Sequence, residues 1–170
     1  MIKNRKLTLE RRIARLERML NRKSVKNEDV DSEDTIELAG YSWTRIGEID
    51  GYDLYLCDSI VKRMPFSDKP TNDYEESSVR KWLLGSFYSK FSRIERAGLA
   101  KTNNDPVFVL GDAHIIRNEN NIPRVNGEWF TATPVFDTDD MIEYVTADNE
   151  VYVGKDFDEV CGVRPAILLA

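Results

Sequence analysis

Hydrophobic residues in the first 24 positions recur at alternating intervals of three and four. Leu9, Ile13, Leu16 and Leu20 follow this spacing, and Ile2 continues it one heptad earlier. The other residues are mostly Arg, Lys, Glu and Asn, with neither Pro nor Gly. A repeat of this kind is typical of a coiled-coil helix. Because a short helix with a narrow apolar stripe is marginally stable alone, this seam must pack against another surface.

The segment Arg12–Glu17 favours association in threes. Its Arg, its two apolar seam residues and its Glu resemble the short trimerisation signature of parallel three-stranded coiled coils. In that signature the Arg of one chain reaches the Glu of a neighbour while its methylene stem covers the core. We therefore predict a homotrimeric coiled coil over residues 1–24. The residues assigned to the trimer contact are Leu9, Arg12, Ile13, Leu16, Glu17 and Leu20.

Other arrangements of this helix stay open. It could pack on the body of its own chain, form a dimer, or dock onto a different protein. Nucleic-acid binding is disfavoured, because the basic residues surround a regular apolar seam and do not alternate with stacking aromatic groups.

The distribution of charge divides the chain near the same point. The net charge is −6, but residues 1–26 carry ten basic and two acidic side chains and sum to +8. We expect residues 25–36 to be an acidic linker and residues 37–170 to form a folded body. The chain has no run of 18 apolar residues and no apolar secretory signal, so no membrane association is predicted.

Within the body, residues 41–49 alternate in polarity and predict a strand, and Asp50-Gly51 predicts the turn of a hairpin. Ser77 is a candidate helix N-cap, and residues 92–95 match a capping box that opens a second helix. Further strands are expected afterwards, including a last strand over residues 162–169. Together these elements predict an α+β body with two helices packed on mainly antiparallel strands.

Five short segments then occur in a characteristic order: residues 80–83, 87–91, 107–110, 129–130 and 162–166. The last reads Gly-Val-Arg-Pro-Ala and is the most specific of them. This pattern resembles an uncharacterised domain family of bacteria and their phages. The resemblance implies a C-type-lectin-like fold, similar to that of formylglycine-generating enzymes and of the variable proteins of diversity-generating retroelements. It covers about residues 40–170.

The chain departs from that family at a few positions. Thr131 and Ala132 follow the aromatic pair where the family often has Arg, and Leu84 stands where Asn is usual. Any binding role of the family's polar residues therefore does not transfer to these positions.

Few residues suggest chemistry. No catalytic residue, cofactor or metal ligand is assigned, and the chain has one histidine and two cysteines, Cys57 and Cys161, which we expect to be reduced and structural. Asp137, Asp139 and Asp140 could bind calcium, although a solvated loop is the simpler interpretation. Trp129 and Tyr152 could form an aromatic platform for a ligand such as a sugar, or belong to the core.

These observations predict a non-enzymatic phage structural protein, a homotrimeric appendage that presents a lectin-like domain, with a location in the virion. The expected partners are the chain itself, a capsid or tail protein contacted through the N-terminal helix, and a glycan or protein of the host surface. The arm resembles N-terminal coiled coils of phage structural proteins. The alternative is a cytosolic ligand-binding module or enzyme of bacterial origin, with the helix as a docking element.

Overall fold

The computed structural model describes residues 34–170, which contain two β-sheets and short helical segments. The strands are β1 (Thr35–Leu38), β2 (Tyr41–Ile49), β3 (Tyr52–Cys57), β4 (Lys62–Pro65), β5 (Leu99–Ala100), β6 (Phe108–Val109), β7 (Trp129–Pro134), β8 (Met141–Val145), β9 (Val151–Asp156), β10 (Val160–Val163) and β11 (Pro165–Leu169). The helical segments are a 3₁₀ turn (Tyr74–Glu76), α1 (Ser78–Trp82), a π turn (Leu83–Phe87), a 3₁₀ turn (Tyr88–Lys90), α2 (Arg93–Gly98) and α3 (Asp112–Asn118).

The first sheet has the strand order β1-β2-β3-β11-β5, and β6 also pairs with β11. The second sheet has the order β4-β10-β7-β8-β9. All these pairs are antiparallel except β10 with β7, which run parallel at Gly162 and Trp129. The C-terminal strand β11 therefore lies inside the first sheet. It pairs with β3 on one side and with β5 and β6 on the other.

The predicted α+β, C-type-lectin-like architecture is wrong. The described residues are mostly β, about 40% strand and 22% helix, with curled antiparallel sheets and a few short helices. The helix predicted after the Ser77 cap does not continue as one α-helix, because its backbone changes from α to π and then to 3₁₀ after Trp82. Its apolar residues Val79, Leu83 and Phe87 are all fully buried, so core packing and not helix propensity decides the local backbone.

The coiled coil predicted for residues 1–24, with its six trimer-contact residues, lies outside the described residues. The same is true of most of the predicted linker. These assignments stay predictions.

The central strands are buried on both faces. In β3, Tyr55 and Cys57 belong to one apolar cluster, while Leu54 and Leu56 belong to the other. Successive side chains of a strand point to opposite faces, so both faces of β3 are covered. A strand of this type reads as a continuous apolar run rather than an alternating one.

The last strand was predicted as one element, and it is two. β10 and β11 belong to different sheets, and Arg164 stands between them. Pro165 has no N–H to donate, which prevents β10 from continuing its ladder of hydrogen bonds without interruption.

The local predictions are confirmed. β2 and β3 form a hairpin, and its turn residues Asp50 and Gly51 have φ values of 51° and 81°. The Ser77 side chain accepts a hydrogen bond from the Arg80 N–H, as an N-cap does. Ser92 and Glu95 form a reciprocal capping box at the start of α2. Within residues 34–170, no helix combines the length and the apolar character needed to cross a membrane.

Candidate ligand-binding cleft

A cleft of about 300 Å³ lies between the first 3₁₀ turn, the loop before β6, the start of α3 and the end of β7. This volume is at the lower end of the range for small-molecule sites, roughly 300–1,000 Å³. Polar side chains line part of the wall, and apolar ones line the rest. The polar group includes Tyr74, Glu75, Thr102, Asn103, His114 and Thr133, and the apolar group includes Ile49, Ala132 and Pro134.

An ion pair fixes one wall of the cleft. Arg80 Nε and Nη2 donate to the two carboxylate oxygens of Asp105, each at 2.7 Å. The Asp105 side chain is only 6% exposed, and that of Arg80 is 27% exposed. A two-point contact of this kind holds both groups in one orientation. The hydrogen bond to Asp105 also raises the pKa of Arg80.

Asp105 is positioned by a tight turn of its own backbone. The N–H groups of Thr102 and Asp105 each donate to the other residue's carbonyl, at 3.0 and 2.8 Å. Between them, Asn103 and Asn104 have positive φ values of 49° and 69°. Asn tolerates this left-handed conformation better than most residues, so the Asn-Asn sequence suits the turn. The turn places Asn103 in the lining of the cleft.

Tyr74 forms the base of the same wall. Its hydroxyl oxygen accepts a hydrogen bond from the Val109 N–H at 3.3 Å, and burial raises the pKa of the phenol. The 3₁₀ turn that carries Tyr74 is capped by Asp73, whose carboxylate accepts from the Glu75 N–H at 2.9 Å. The cap fixes the backbone from which the Glu75 side chain extends.

The opposite wall is held by the contact between α3 and β7. Thr133 Oγ1 accepts from the Asp112 N–H at 2.8 Å and donates to the Asp112 carboxylate at 3.0 Å. His114 follows in the first turn of α3. Desolvation, and then the nearby charge of Arg117, lowers its pKa, so the imidazole is neutral at pH 7. A neutral imidazole offers one donor and one acceptor to a ligand.

Trp129 and Tyr152 do not share a surface. Cross-strand register places Trp129 in a row with Val145, and places Tyr152 in the next row with Tyr144. Because side chains alternate along a strand, the two rows face opposite sides of the sheet. Trp129 is fully buried, whereas Tyr152 is 42% exposed and stacks on Tyr144 with ring centroids 6.3 Å apart. They do not form one platform.

Neither the cleft nor its lining residues were predicted from the sequence. The Asn103-Asn104 pair before Asp105 is a local pattern that indicates the turn beside the cleft. Cys57 and Cys161 are free and buried, and burial raises the pKa of each thiol to about 11.

Among residues 34–170, no three His, Cys, Asp or Glu side chains cluster as a metal site would need.

Comparison of the chain with protein-family models, with curated proteins and with solved structures gave no match.

Proposed function

We propose that this protein is a non-enzymatic binding protein of a phage virion, a homotrimeric appendage whose body binds a small polar ligand in the cleft. The observation that carries the proposal is the cleft itself, in which hydrogen-bonding side chains and apolar side chains line the same space. Sites for small molecules combine these two features, since the apolar surface supplies affinity and the few polar groups supply orientation.

The groups in the cleft suit a ligand rich in hydroxyls, such as a sugar residue of a host-surface glycan. Asn103 and neutral His114 each offer a donor and an acceptor, and Glu75 offers a carboxylate. Thr133 donates its hydroxyl proton to Asp112, so it offers a ligand only the second lone pair of its oxygen. Hydroxyl groups both donate and accept, so they can match this mixed set.

A trimer would compensate for the weak binding expected of a small cleft. A site of this volume buries little surface and is expected to bind weakly by itself. Three copies on one stalk raise the overall avidity by a factor of about 10² or more when the receptors are close enough to engage together. The N-terminal helix would also contact the capsid or tail protein that anchors the appendage.

A first experiment tests assembly. Light scattering on the full-length chain should give the mass of a trimer, and a chain that lacks residues 1–24 should give that of a monomer. Mass spectrometry of purified particles of a phage that encodes this chain should detect it. A monomeric full-length chain contradicts the trimer, and its absence from particles contradicts the virion location.

A second experiment tests the cleft. Full-length protein is labelled and applied to an array of bacterial surface glycans. Glu75→Ala should weaken binding, because Glu75 lines the cleft. Glu76→Ala is the matched control, since Glu76 is an exposed residue of the same 3₁₀ turn that does not line the cleft. Equal loss in both variants, or glycan binding that neither changes, contradicts the assignment of this site.

A further inference from the structure

Arg164 is fully buried, and no acidic side chain among residues 34–170 forms an ion pair with it. Its Nε donates to the Cys57 carbonyl at 2.7 Å, and its Nη2 donates to the Pro123 carbonyl at 2.9 Å. None of the ion pairs between described residues involves Arg164. Burial lowers its pKa to about 10, so the guanidinium stays protonated at neutral pH.

The remaining nitrogen of the guanidinium has no hydrogen-bond partner in the described part of the chain. Arg164 Nη1 is buried and unpaired among residues 34–170, and so is the indole Nε1 of Trp129. The two side chains are neighbours, because the guanidinium carbon lies 5.3 Å from the centre of the Trp129 ring. Buried donors are rarely left unpaired, since each one loses its hydrogen bonds to water without replacement.

We propose that Arg164 Nη1 and Trp129 Nε1 together bind one small monovalent anion of the halide class inside the body. An anion satisfies both donors and balances the buried positive charge, whereas a neutral acceptor satisfies only the donors. Two carbonyls, the face of the Trp129 ring and the nearby Asp58 charge compensate the guanidinium only in part, since burial still lowers its pKa. A buried charge that is not fully compensated is costly, and this favours the charged ligand. The site does not depend on the cleft or on the proposed function.

A loop lies beside this site. Arg164 Nη2 is hydrogen-bonded to Pro123, within residues 119–128, a segment without helix or strand. Loops of this type open locally at lower free-energy cost than strands do. The anion would therefore exchange with solvent without unfolding of either sheet.

A third buried polar atom of residues 34–170 has no hydrogen-bond partner, and it allows a competing explanation. Asn149 Oδ1 is an unpaired acceptor, and its Nδ2 donates to the Ile122 carbonyl, next to the carbonyl used by Arg164. A water molecule could accept from the two nitrogens and donate to this oxygen. Water in place of an anion is the outcome that overturns the proposal.

The solution test uses the full-length chain. Thermal unfolding is followed as sodium chloride replaces sodium gluconate at constant ionic strength. The melting temperature should rise with chloride and then saturate, because a ligand that binds only the native state stabilises it. Trp129→Phe keeps the ring and removes one donor, and its response should need roughly tenfold more chloride.

Trp43→Phe is the matched control. Trp43 is also fully buried, but its Nε1 already donates to the Leu38 carbonyl at 3.0 Å. This variant should lose stability and keep the chloride response of the original protein. If all three proteins respond equally, the effect is a general one of the salt and the proposal fails.

The crystallographic test needs no variant. Crystals of the full-length protein grown in sodium bromide should show an anomalous peak within hydrogen-bonding distance of Arg164 Nη1 and Trp129 Nε1. A water molecule refined at that position, or no density there, contradicts the proposal even if the Trp129 variant does not fold.

Discussion

Replacing Asp105 by Asn should destabilise the protein strongly, although the two side chains are almost equal in size. The change removes the negative charge that accepts hydrogen bonds from Arg80 Nε and Nη2, each at 2.7 Å. It also turns one acceptor into a donor. Breaking a buried pair on one side costs about 3–5 kcal/mol. Because the Arg80 side chain is 27% exposed and can regain some water, we expect a loss nearer to 2–3 kcal/mol.

Urea unfolding of the full-length chain, followed by tryptophan fluorescence at one protein concentration, measures this loss. With a urea dependence of about 1.5–2 kcal/mol per molar for a body of this size, the midpoint should fall by roughly 1–2 M. Combining Asp105→Asn with Arg80→Gln gives a double-mutant cycle. The two losses should not add, because both single changes remove the same contact.

Asp148→Asn is the matched control. Asp148 pairs with Arg124 at 3.5 Å, but the two side chains are 61% and 72% exposed. Exposed pairs contribute little, so the loss should be below about 0.5 kcal/mol. If Asp105→Asn and Asp148→Asn shift the midpoint equally, burial does not set the strength of the Arg80 contact, and the reasoning fails.

Three further predictions concern other parts of the body. Backbone N–H groups, that of Ala39 foremost, lower the pKa of Glu95, so its contribution to stability is lost as the pH falls through that lowered value. Glu95→Gln should flatten the acid side of a stability–pH curve, and an unchanged curve would refute this. Gly162→Ala should prevent normal folding, since the added Cβ would collide with a backbone carbonyl. In Gly85→Ala the added Cβ would have no described atom within 4 Å, so this control should be tolerated. Soluble expression and circular dichroism compare the two variants. Both buried cysteines should resist a thiol reagent until the protein is unfolded, because their raised pKa values leave little thiolate at pH 7; rapid labelling of the native protein would contradict it.

The features that could be predicted from the sequence depend on residues close together in the chain. The turn at Asp50 and Gly51 needs a left-handed backbone, and these two residue types allow it. The capping box of Ser92 and Glu95 is a contact between residues three positions apart. Propensity and local hydrogen bonding decide such elements, so their positions were predicted correctly.

The fold class could not be obtained in this way. The apolar spacing after Ser77 fits a regular helix, but burial of Leu83 and Phe87 imposes a π turn and then a 3₁₀ turn. The division of the last strand at Arg164 was missed for the same reason. Only the strands that pair with β10 and β11 show that these two belong to different sheets. Both outcomes depend on contacts with distant segments.

The amino-acid sequence by itself determined the hairpin, the helix caps and the division of charge along the chain. Only the tertiary structure decided which side chains meet. It brings Glu75, Asn103, His114 and Thr133 from four separate segments to one cleft, and it separates Trp129 from Tyr152. The physical reason is that strand order and register set these distances, and both arise from the packing of the whole core rather than from any local pattern.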